Sequence, residues 1–546
     1  MPASPNDYLK YITIDDFKPG ISDNPGANYP SGSAQRDQTF RCIANRQGAL
    51  TPLPARTIPF SMPSDGTPAP DSRFAIDGLY APPISMLPTV LAFNPDIFPE
   101  HELMVGNEWL QGGNLNQKLR RVRRYEAAGT TMDTIMSVSQ ANAATTLIPS
   151  GMGFGTTRSN RTTPTMPGVP VVAAMWVNGF LFNYVIEFPD DAAPTTNTPY
   201  TVFSNTAFFL GLCCHQGRTV AQQATSYDQG VNTKTFMGEN IIWSDFNDIT
   251  NTLWSTAAPQ VFVPENPSGF AFLCSMSANE MFAVKLYGGI YVTGDLNTGP
   301  FVTSLPMVTG SEVQQAPVVT GQGVVYGNQS TGIWMWSHGD TSQLLSPQMI
   351  PDFWLLDVPP EHELDVYGGV RYQFARCDDW VLVPNNWLYD TTIQSWWRFE
   401  DPNVTAVRYW TVMSRFIYGA SGFYDNSTLS PISMWERSYT PPDNALNYSW
   451  QSQPLWETVG NLTDVRAITI RAKGQGTVTV TVTGETSTAT VQFEINSTLP
   501  ILRRQTLRLQ DANIAVKIVA DSVTEAPTVY ECNVGTDVVQ RETQTQ

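Results

Sequence analysis

From about residue 165 to 440 the chain is a run of short apolar segments, each cut off by turn residues after roughly 8–12 positions, a rhythm that helices do not produce. "VPVVAAMWVNGFLFNYVIEF", beginning at Val169, sets Asn178-Gly179 between two such segments, which is the strongest short hairpin signal. "LYGGIYVTGD", "STGIWMWSHGD" and "NNWLYDTTIQSWWRF" repeat a common form of glycine, paired aromatics and a polar turn. Such spacing allows a sandwich, a barrel or a propeller, and the stretch is too long for one sandwich. Quasi-repeats of about 40–60 residues favour a propeller, whose blades pack aromatic faces together. Trp334 and Trp336 alternate on one strand and therefore share a face. With Trp396 and Trp397 they are candidates either for blade core or for an aromatic contact surface, such as a sugar platform.

Composition agrees with an all-β chain. Of 546 residues, 42% are hydrophobic and only 15% charged, with 41 Pro, 39 Gly and 15 Trp. This length supports more than one core. Residues 1–60 contain two short strands separated by a polar gap, and these cannot bury a core unaided. They are expected to act as a strap that joins the main domain, borrowing partners from later sequence or from another subunit. Residues 61–164 are rich in Pro and Gly and are expected to form an extended arm or loop insertion. Residues 165–440 are the propeller-like blades. After the proline-rich boundary at Pro441-Pro442 the composition changes, and no Trp follows Trp456. "TVTVTVTG", from Thr477 to Gly484, alternates perfectly and opens a β-sandwich expected over 441–540, with a frayed tail at 541–546.

The net charge of −18 and pI near 4.6 oppose general binding to nucleic acid or anionic membranes. One local exception is "NQKLRRVRRYEAAG", where Lys118, Arg120, Arg121, Arg123 and Arg124 place five positive charges within seven residues. The run reads either as a partner-docking segment or as a strand whose arginines meet nearby carboxylates. No apolar run is long enough to cross a membrane as a helix. The N-terminus lacks the basic start and apolar stretch of a signal peptide, so synthesis in a cytoplasm is expected. The six cysteines are scattered, and "CCHQG" places Cys213, Cys214 and His215 on alternating strand faces, so buried free thiols are expected and no metal or cofactor.

Three stretches together resemble the tail hub and nozzle proteins of tailed bacteriophages. They are the opening "DFKPGISDN" with "RCIANRQGALTPLP", the row of glycine- and aromatic-marked blades, and the junction "YSWQSQPLWETVGNLTDVRAITIRAKGQGTVTVTVTG". The resemblance spans most of the chain except the region 60–165. It implies a structural virion protein of the tail without enzymatic activity. Such a protein forms a homo-oligomeric ring, six-membered by the family's habit, that extends a portal or adaptor ring, meets fibre or tip proteins and conducts DNA without holding it. It also implies that the opening strands close the ring of blades. Two rival readings stand beside it. One is a receptor- or carbohydrate-binding propeller of the tail tip. The other is a glycan-processing enzyme using carboxylates such as Asp15-Asp16, Asp378-Asp379 or Glu361 and Glu363, although the last pair, like Asp245 and Asp248, reads as loop.

Overall fold

A computed structural model describes residues 9–22, 30–54, 56–62, 74–80, 101–111, 114–125, 129–140, 152–156, 170–177, 180–187, 200–201, 207–225, 227–228, 233–234, 240–243, 260–262, 270–311, 315–328, 330–346, 372–401, 407, 409–413, 416–420, 423–424, 430–437, 447–460, 462–522 and 526–538. Among them the regular structure is almost entirely strand, with short 3₁₀ turns and no α-helix. Six four-stranded antiparallel sheets follow one another along the chain: blade 1 (152–201), blade 2 (207–262), blade 3 (270–305), blade 4 (318–344), blade 5 (375–398) and blade 6 (409–436). The first strand of each blade packs on the first strand of the next, from blade 1 through blade 6. Shared apolar clusters join blade 2 to blade 3 and blade 3 to blade 4. The arrangement is propeller-like.

Blade 6 does not complete itself. Its outermost strand is β4 (Arg56–Met62), which pairs antiparallel with Ser430–Glu436. Pro59 lies where that register shifts, at the sheet edge, the position that tolerates a residue without an N–H. The chain then builds an arm of four long strands before it enters blade 1. These are β5 (Phe74–Tyr80), β6 (His101–Gln111), β7 (Asn114–Tyr125) and β8 (Gly129–Gln140). The arm is anchored to blade 6 in two ways. β5 pairs with Phe423–Tyr424, and Leu103, Val105 and Val122 pack on Met413, Tyr418 and Ile432.

The expected boundaries shift accordingly. The segment 61–164 is a four-stranded ribbon in its described parts rather than a loop insertion, and the first blade begins inside it, at Met152. The proline and glycine content of 61–164 concealed strands whose pairing partners lie along the same ribbon.

The C-terminal part is one eight-stranded sheet, bent until it nearly closes as a barrel. Three of its strands come from the beginning of the chain: β1 (Lys10–Ile14), β2 (Cys42–Ala44) and β3 (Leu50–Pro52). The strap therefore joins the C-terminal sheet through β1 to β3 and the propeller through β4, rather than the main domain alone. Two long strands, Thr463–Thr483 and Thr488–Asp511, form a hairpin that runs the length of the sheet. The first of them pairs with Thr528–Val538 along its first half and with Ala515–Asp521 along its second. The valines of "TVTVTVTG" (Val478, Val480, Val482) are fully buried while the threonines between them are partly exposed, so the sequence alternation is the alternation of the two faces.

Candidate functional site at the strap junction

The strap lies between blade 5 and the C-terminal sheet and hydrogen-bonds to both. Ile21 N donates to Trp396 O (3.0 Å) and Arg41 N to Arg398 O (2.9 Å) on the propeller side. On the other side Phe40 and Ser449 exchange backbone bonds, Gln35 N donates to Gln451 O (2.8 Å), and Gln453 N donates to Ser33 O (2.9 Å). These strap backbone groups thus find the partners that burial requires. The close approach dictates two residues of the strap. A Cβ on Gly20 (φ +65°) would stand 2.8 Å from Trp396 O, and one on Gly32 (φ +86°) would stand 1.9 Å from Asp16 O. Only glycine allows both the left-handed backbone and the contact.

Buried aromatics fill the seam. Phe17 meets Trp450 edge to face, ring centroids 4.9 Å apart, and both are fully buried. One apolar cluster runs from Ile14, Phe17 and Ile21 through Trp387, Trp397 and Trp410 to the valines of the long hairpin. The strap makes the propeller and the C-terminal sheet one core.

A charged link crosses the same seam. Glu400 is 2% exposed; its Oε1 accepts from Trp435 Nε1 of blade 6 (3.1 Å), and its Oε2 lies 3.3 Å from Arg41 Nη2. Arg41 also donates to Asn447 Oδ1 (2.9 Å), just ahead of the C-terminal sheet. One strap arginine therefore ties together two blades and the barrel-like sheet. Arg41 adopts φ 58°, rare for a residue with a side chain, and its guanidinium contacts hold it there. Sequence reading passed over Arg41 and Glu400. Their only sequence signal was a charged residue inside an apolar run, as in "SWWRFED".

The candidate residues fall in different places. Trp336 is buried and stacked flat on Phe282 at 4.2 Å, between blades 4 and 3, and Trp334 is half-buried against the same cluster. Trp396 and Trp397 are both buried within blade 5; Trp396 Nε1 donates to Leu345 O and Trp397 Nε1 to Ser395 Oγ. Trp336, Trp396 and Trp397 are core, and Trp334 lies at the core's edge with its Nε1 donating to Thr331 Oγ1.

Lys118, Arg120, Arg121, Arg123 and Arg124 lie on β7, a strand paired on both sides by β6 and β8, with Arg123 in register with Glu102 and Arg121 with Asp133. Tyr287, which opens the quoted "LYGGIYVTGD" after its Leu, and Phe301, which no sequence pattern marked, are the most exposed aromatics described, at 73% and 76%.

No group of three or more metal-ligating side chains occurs among the described residues. Cys42, Cys213, Cys274, Cys377 and Cys532 are buried free thiols, and burial pushes the Cys274 and Cys532 thiols up to about 12. His215 is buried with Nδ1 2.8 Å from Ser275 Oγ, and desolvation lowers its pKa. Outside the seam, Glu280 accepts from Tyr291 Oη and Ser277 Oγ, bonds that depress its carboxyl pKa, while burial and that same contact push the Tyr291 phenol up to about 12. Glu361, His362, Glu363, Asp245 and Asp248 lie outside the described residues.

The fold and its seam define an all-β, propeller-like scaffold clamped by its own N-terminal segment. No protein-family model matches the chain, and no curated protein does. Among solved structures it is similar to the mitotic checkpoint complex (11% identity, 76% of this chain and 96% of that one, TM-score 0.31). It is also similar to the computationally designed Ika8 protein (10%, 69% and 99%, TM-score 0.31). A third likeness is to exo-β-1,3-galactanase from Phanerochaete chrysosporium (8%, 79% and 78%, TM-score 0.18). Likenesses at this level carry no argument about function.

Proposed function

We propose that this chain is a structural subunit of a bacteriophage tail, a nozzle or hub ring that extends the portal–adaptor channel and conducts DNA into the host. The observation that supports it most is the strap. The segment from Lys10 to Met62 supplies three strands to the C-terminal sheet and the closing strand of blade 6, so it locks the propeller and that sheet into one body. Such a body suits a part that transmits load, because separating its domains requires breaking a buried, hydrogen-bonded seam. The net charge of −18 fits a conduit that repels the phosphate backbone. In this reading the mechanism is mechanical, the partners are further copies of the chain, portal or adaptor proteins and fibre or tip proteins, and the location is the virion tail.

The test is native mass spectrometry with negative-stain imaging, with and without a portal–adaptor assembly. A closed ring with a central hole is the expected result. A monomer that ignores the portal but is retained on glycan columns would replace this reading with that of a carbohydrate-binding tip protein, for which the exposed Tyr287 and Phe301, at opposite ends of their strand pair, would be two separate positions to examine.

A further inference from the structure

Across one limb of the C-terminal sheet the strand order is Thr488–Asp511, Thr463–Thr483, Thr528–Val538, β1, and every pair is antiparallel. Both outer strands lack a further strand partner among the described residues. Four alternating strands have a consequence. A second copy laid beside the first in the same orientation brings its Thr488–Asp511 strand antiparallel to β1, and the sheet continues without a break. The rows are level as well. Ile14 is in register with Cys532, Cys532 with Ile470, and Ile470 with Arg503; likewise Lys10 runs through Thr536 and Val465 to Leu509.

The two edges carry complementary surfaces. On the long strand, the alternation of buried and exposed residues stops between Asn496 and Thr506, where both faces are open. Leu499 and Leu502 stand 72% and 61% exposed there, beside Arg503, Arg504 and Arg508, which have no carboxylate partner among the described residues. Beside β1 lies a groove of about 270 Å³ whose apolar wall is Ile12, Pro30, Pro454, Leu455 and Trp456, the last 62% exposed, and whose remaining lining is polar, with Glu457 at its rim. Asp15, the residue that follows β1, is exposed and has no ion-pair partner among the described residues. An apolar knob with arginines on one edge thus complements a groove of mixed lining on the other, with the carboxylates of Glu457 and Asp15 beside it.

We propose that the Leu499–Leu509 edge of one copy docks on the β1 edge of a second copy, with Leu499 and Leu502 in the groove and Arg503 and Arg504 toward Asp15. Ser31 Oγ already bonds Thr13 O, so strand pairing is confined to Lys10–Ile12. The contact is head to tail and therefore propagates to a closed ring or a filament. An open strand edge of this length otherwise invites indiscriminate pairing; Pro500 and the register shift opposite Gly474 limit it to the segment beyond. This inference rests on the ring reading and assigns the surface that would build it.

The experiment uses the full chain with Ser31→Cys and Leu502→Cys. Oxidation is expected to give a ladder of dimer, trimer and higher species on a denaturing gel, while each single variant, whose introduced cysteine meets no cysteine across a head-to-tail contact, stays monomeric. Leu502→Asp, at an exposed site, is expected to keep the wild-type melting temperature and raise the assembly midpoint concentration by tenfold or more, about 1.4 kcal/mol. A Leu502→Asp protein that still forms wild-type rings, or a double-cysteine protein that assembles without a ladder, overturns this docking mode while leaving the ring reading intact. A wild-type chain that remains monomeric even with the portal overturns both.

Discussion

Replacing Arg41 by methionine keeps a Cβ at φ 58°, so backbone strain is unchanged, and removes the cation that faces Glu400 among the described residues. Breaking a buried pair from one side costs about 3–5 kcal/mol, because the remaining charge stays desolvated. Here the arginine is 36% exposed and the glutamate 2%, so water replaces part of the lost contact and about 2–3 kcal/mol is expected. The loss should be local to the strap seam. In amide hydrogen exchange, protection of Ala34 to Ala44 and of Tyr448 to Gln451 should fall roughly 30- to 150-fold, while blade 3 is unaffected. Glu400→Gln removes the charge but keeps an acceptor for Trp435 Nε1. The double variant should therefore recover about 1–2 kcal/mol relative to the sum of the singles. Uniform loss of protection across all blades, or strictly additive variants, would refute the claim that Arg41 acts through Glu400 to hold the seam.

Two further predictions concern buried groups. Trp336→Ala should cost about 3–5 kcal/mol in denaturant unfolding, since the ring is fully packed on Phe282, whereas half-buried Trp334 should cost clearly less; equal losses would contradict the blade-core assignment. Burial lowers the pKa of His215 below its ordinary value, so the unfolded chain binds the proton more tightly. Its contribution is complete above the unfolded value near 6.5 and is lost as pH falls toward the folded value. His215→Gln should flatten the decline in melting temperature on acidification from neutral pH, and an unchanged slope would show that His215 charges freely in the fold.

The local pattern was largely legible. Hairpins, blade aromatics and the Val–Thr alternation follow from period-two burial and turn chemistry, which act within a few residues and leave their mark in the sequence. That the two opening strands needed borrowed partners was also legible, because isolated short strands cannot bury enough surface. Which partners they take was not. β1 pairs with residues more than 500 positions away, and the choice rests on complementarity between surfaces that exist only after both have folded. The same holds for Arg41 and Glu400, whose meeting depends on blades 5 and 6 and the strap arriving together. It holds also for the arm, whose proline-rich sequence hides strands that pair within a ribbon packed on blade 6. Sequence by itself determined that this chain is all β and where its turns fall. Tertiary structure decided which strands close the propeller, where the strap runs and which edges stay open, because long-range pairing is set by the fit of assembled faces and not by neighbouring residues.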